Sequence, residues 1–90
     1  MKLIAFKTYG QWGTRGVLKM VLNVNPRGML LDEMRRRIKL MDRLDASDDV
    51  GIELDADEFK MVVGALNVFP FGVAHKDLLA LIDDVLAAGQ

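Results

Sequence analysis

The chain has 90 residues, 51% of them apolar, with 12 basic and 13 acidic side chains, one histidine and no cysteine. That length suits one small domain, residues 1–90, and the lack of cysteine excludes disulfides, thiolate metal sites and a cysteine nucleophile. A formal net charge of -1 excludes a strongly basic polyanion binder but leaves room for a local basic face.

The opening residues, MKLIAFKTYG, hold too short an apolar run for a signal peptide. No window approaches the roughly 18 consecutive apolar residues of a membrane span, so no membrane contact is expected and the cytoplasm is the expected compartment. KLIAFKTY is apolar and aromatic enough for a strand. GQWGTRG then supplies three glycines for a loop that carries Trp12. In GVLKMVLNV, Leu18, Met20, Leu22 and Val24 alternate with their neighbours, which predicts a second strand and, with the first, an N-terminal antiparallel β-hairpin.

NPRG has the residue order of a type I turn, with Asn25 first, Pro26 second and Gly28 fourth. Leu30, Leu31, Met34, Ile38, Met41 and Leu44 follow at helical spacing, predicting an amphipathic helix over residues 29 to about 44 with those side chains inward. After the acidic loop DASDD, residues 50–54 are compatible with a short third strand. Asp55 and Glu58 form a capping-box pattern, and Leu54 and Phe59 stand at the positions of a hydrophobic staple. A helix from 56 to about 68 should follow, apolar nearly all round and central, with Gly64 allowing close approach of a neighbour. Pro70 ends it, and a last helix over 75 to about 88 places Leu78, Leu79, Leu81, Ile82, Val85 and Leu86 inward before Gly89. The expected fold is α+β, a hairpin with a short third strand packed against about three helices.

The row Arg35, Arg36, Arg37 is the most conspicuous chemical feature. On a helical wheel these arginines spread around the solvent half, and Arg37 alone reaches toward the apolar rim. Asp32 precedes Arg36 by four and Glu33 precedes Arg37 by four, the favourable order for helix ion pairs. Arg35, Lys39 and Arg43 then remain as a line of charge that fits a phosphate backbone, so Arg35, Arg36, Lys39 and Arg43 are the candidate nucleic-acid contacts. DASDD opposes this reading, and no aromatic residues interleave as a base-stacking platform.

No catalytic, metal-binding or cofactor-binding residue is assigned. An EF-hand register with Gly51 at its sixth position puts Ala46 first and Asp57 twelfth, which fails. His75 and Ser47 are each the sole residue of their type and form no triad pattern, and GQWGTRG lacks the phosphate-loop ending. Tyr9, Trp12, Phe69 and Phe71 are the aromatic candidates for a protein interface.

The runs LDEMRRRIKLMDRLD, IELDADEFKMVV and IDDVLAA resemble, in overall cadence, small uncharacterised proteins encoded in phages and prophages of Gram-negative bacteria. The resemblance covers the last two-thirds of the chain, leaves out the segment with Trp12, and carries no ligand or catalytic motif. It implies a role in virion assembly or phage regulation. The sequence therefore points to a non-enzymatic protein whose partner is another protein or a second copy of itself. A small DNA- or RNA-binding regulator using the basic helix is the alternative.

Overall fold

The computed structural model describes residues 1–89. Its elements run β1 (Lys2–Ala5), β2 (Thr8–Tyr9), β3 (Trp12–Gly13), α1 (Thr14–Asn23), α2 (Leu31–Ala46), β4 (Gly51–Leu54), α3 (Ala56–Val68) and α4 (Lys76–Ala87). The fold is mixed α+β, with four helices and two separate two-stranded antiparallel sheets.

The run expected as the second strand of a hairpin is a helix, α1. Its buried apolar positions, Val17, Leu18, Val21 and Leu22, are pairs of neighbours one helical turn apart, whereas Met20 and Val24 are exposed. The strand expectation fails because apolar residues stand on both sides of the alternation, Val17 and Val21 on one and Leu18, Met20 and Leu22 on the other, so alternation can be found along with the helical period. The buried valines decide the matter: Val17 and Val21 would share a strand face with Arg15, Lys19 and Asn23, whereas a helix carries them on its apolar side.

With that segment helical, β1 pairs instead with β4, the short strand expected at 50–54. Ile4 lies opposite Ile52, and Leu54 is buried on the same strand face as Ile52, while Leu3 and Glu53 point outward together. Gly51 is required where the strands approach: a Cβ there would stand 2.5 Å from the Ile4 carbonyl oxygen and 3.2 Å from the Ala5 Cα. Gly51→Ala is expected to cost about 1–3 kcal/mol of stability, since backbone rather than a mobile side chain would have to move. Chemical denaturation measures it, and an unchanged midpoint would contradict this strand pairing.

The glycine-rich loop forms its own small hairpin, Tyr9 opposite Trp12, turned by Gly10 and Gln11. Gly10 has φ +60 and Gln11 a negative φ, the sign pattern of a type II′ turn. Thr14 fixes this hairpin to α1: its Oγ1 accepts the Lys7 N–H at 3.1 Å, and its backbone N–H donates to the Lys7 carbonyl at 3.0 Å.

The turn at Asn25 has the expected form. The Gly28 N–H reaches the Asn25 carbonyl at 2.8 Å, and the Arg27 N–H reaches Asn25 Oδ1 at 3.0 Å. The capping box of α3 is also present, with the Glu58 N–H on Asp55 Oδ1 at 2.8 Å and the Asp55 N–H on Glu58 Oε1 at 3.0 Å. Gly64, expected at a close approach, has nothing within 4 Å of an added Cβ. The core instead centres on α1, which packs on both α2 and α3, and α4 adds Leu78, Leu81 and Val85. Leu79, expected inward, is exposed.

Candidate functional site

The largest departure from the helical-wheel expectation is the facing of α2. Its buried side chains are Arg37, Leu40 and Leu44, while four of the residues expected inward stand in solvent: Leu30 at 82% exposure, Leu31 at 59%, Met34 at 43% and Ile38 at 47%. The helix is turned so that the side carrying Arg37 meets α1.

The reason lies at the end of α1. The last turn of any helix leaves carbonyls without intrahelical donors. Here Arg37, 5% exposed, donates through Nη1 to the carbonyls of Val21 at 3.2 Å and Leu22 at 3.1 Å. Its Nε stands 2.9 Å from Glu33 Oε2, off the N–H direction, so that contact is ionic rather than a hydrogen bond. Asn25 Nδ2 donates to the same carboxylate oxygen at 3.2 Å. A cation at a helix C-terminus also opposes the negative end of the helix dipole.

The other cations of the row have different surroundings. Arg36 pairs with Asp32 at 3.3 Å, and both are exposed. Arg43 forms an ion pair with Glu58 and donates to the Glu53 carbonyl at 2.8 Å, tying α2 to β4 and the start of α3. Arg35 and Lys39 are exposed and have no ion pair among the described residues. The free charge that sequence spacing assigned to Arg35, Lys39 and Arg43 is thus reduced to the first two. An arginine outside α2, Arg15, donates to the carbonyls of Ser47, at 2.8 Å, and Asp48, closing the end of α2, and its guanidinium lies 4.7 Å from the centre of the Phe6 ring.

The four aromatic candidates are all half-buried and lie against the helical body. Tyr9 donates its hydroxyl to Asp84 of α4. Trp12 meets His75 edge-on, ring centres 4.5 Å apart, and Phe69 meets Phe71 in the same manner at 4.9 Å. His75 is the N-cap of α4, accepting the Asp77 N–H on Nδ1 at 3.1 Å. Phe71, Val73, Leu78, Leu79 and Ile82 line an open apolar groove of about 360 Å³ beside it.

Among the described residues no three His, Asp or Glu side chains converge as a metal site, and no helix is long and apolar enough to cross a membrane. Compared with family models, curated proteins and solved structures, the chain matches none.

Proposed function

We propose that the chain is a non-enzymatic, cytoplasmic association module that works by binding protein surfaces, copies of its own chain included. The observation that carries this reading is the exposed row Leu30, Leu31, Met34 and Ile38 along α2. Scattered single apolar residues are ordinary on a protein surface, but three along one helix face with a fourth at its N-cap are characteristic of interfaces. The groove at the start of α4, with exposed Val73 and Leu79, offers a second apolar area to a protein partner. In a phage or prophage such a module would serve virion assembly or regulation.

The alternative reading, a nucleic-acid-binding regulator, draws on the unpaired and exposed Arg35 and Lys39. Light scattering on a sizing column, at about 50 and about 200 mM salt, with and without a short DNA duplex, separates the two. The expected result is a mass above that of the monomer that rises with protein concentration and ignores the duplex. A monomer at every concentration overturns the proposal. Duplex binding that fades with salt, and that is lost when Arg35 and Lys39 are neutralised, replaces it with the alternative.

A further inference from the structure

We infer that α2 is the dimerisation helix and that it pairs antiparallel with α2 of a second copy about a twofold axis. The inference rests on the association reading above and names its partner. Its starting point is a pair of charges rather than the apolar face alone. Arg35 and Asp42 are both exposed, and neither has an ion-pair partner among the described residues. Seven residues apart, they are separated by two helical turns, about 10 Å, and cannot reach each other within one helix.

Seven residues is also the spacing that returns to the same side of a helix. At about 100° per residue, Arg35 and Asp42 lie within about 20° of each other, on one flank of the strip formed by Leu31, Met34 and Ile38. When two copies of such a helix pack antiparallel, like flanks meet. Residue 35 of one then stands beside residue 42 of the other, and the twofold repeats the pair. The axis passes between residues 38 and 39, which brings Ile38 of both copies to the centre of the contact. A parallel pairing would put the two like flanks on opposite sides of the contact and leave Arg35 and Asp42 of the two copies apart. The two charges therefore favour a second copy over an unrelated apolar partner, and they select one direction and one register for it.

The buried side of α2 is compatible with this arrangement. Arg37, Leu40 and Leu44 hold the helix to the body of its own subunit, so its outer strip is free without any rearrangement of the core.

The test is a charge exchange read by sedimentation equilibrium. Arg35→Glu and Asp42→Lys, each alone, place like charges at both contacts, and self-association should weaken about tenfold for each. An equimolar mixture of the two variants places opposite charges at both contacts, so the mixed dimer should recover the affinity that each variant loses. That recovery also shows that both variants are folded. Because the chain has no cysteine, Ile38→Cys adds an independent reading: under mild oxidation it should form a disulfide-linked dimer, and Leu79→Cys should not. Self-association that is indifferent to both exchanges, with no gain on mixing, overturns the α2 pairing while the association reading stands. A wild-type chain that is monomeric throughout overturns both.

Discussion

Arg37→Ala is expected to lower the free energy of unfolding by about 2–4 kcal/mol, an effect large for a domain of this size. Three losses combine. The carbonyls of Val21 and Leu22 lose a charged donor in a buried place, Glu33 loses its partner, and the aliphatic stem of the arginine leaves a gap between α1 and α2. The neighbouring Arg36→Ala removes a charge from the same row but only breaks an exposed pair with Asp32, so its cost should stay within about 0.5 kcal/mol. Urea denaturation of the two variants measures the contrast. Arg37→Met, which keeps most of the stem and removes the donors, should fall between them and divide the loss into packing and hydrogen bonding. Equal and small effects at positions 36 and 37 would show that Arg37 does not close the end of α1.

The second large effect is expected within α1. Leu18 has 0% exposure and Met20 has 39%, although a strand through this segment would put both on one face. Leu18→Ala should cost about 2–5 kcal/mol, the range for emptying a core position of its size. Met20→Ala should change stability by no more than about 0.5 kcal/mol, as surface substitutions do. Thermal unfolding is a convenient readout, since about 4–8 °C of midpoint accompanies each kcal/mol in a domain this small. Comparable losses at the two positions would be the signature of a strand and would remove α1 from the fold.

How far these features were legible in the sequence follows from the range of the forces that set them. The turn at Asn25, the capping box at Asp55 and Glu58, and the bounds of α3 depend on residues a few positions apart, and all three are present as the sequence predicts. The identity of α1 was not legible from alternation alone, because its apolar residues fit both periods. The missing signal was the pair of apolar couples Val17–Leu18 and Val21–Leu22, one helical turn apart. The facing of α2 was less accessible still. Local amphipathicity favours an inward Met34, and the outcome turned on a distant need, the carbonyls at the end of another helix, which Arg37 alone on that helix satisfies. The candidate surface was hidden for the same reason. Leu30, Leu31, Met34 and Ile38 look like core until the burial of an arginine turns them outward.

The pairing of β1 with β4 carries a consequence for the order of events during synthesis. Residues 2–5 find their hydrogen-bonding partners at residues 51–54, with α1 and α2 enclosed in between. A chain emerging from its N-terminal end can complete the small hairpin, then α1, then α2, each from contacts between neighbours in sequence. The first strand has nothing to pair with until half the domain has appeared. Its delayed closure belongs among the slow, nonlocal steps that govern folding rates. During that interval Ile4 and the open strand edge are exposed to any passing chain. Until β4 arrives the edge of β1 stays open to misassociation, and Gly51, which lets the two strands close, sits where that edge becomes covered.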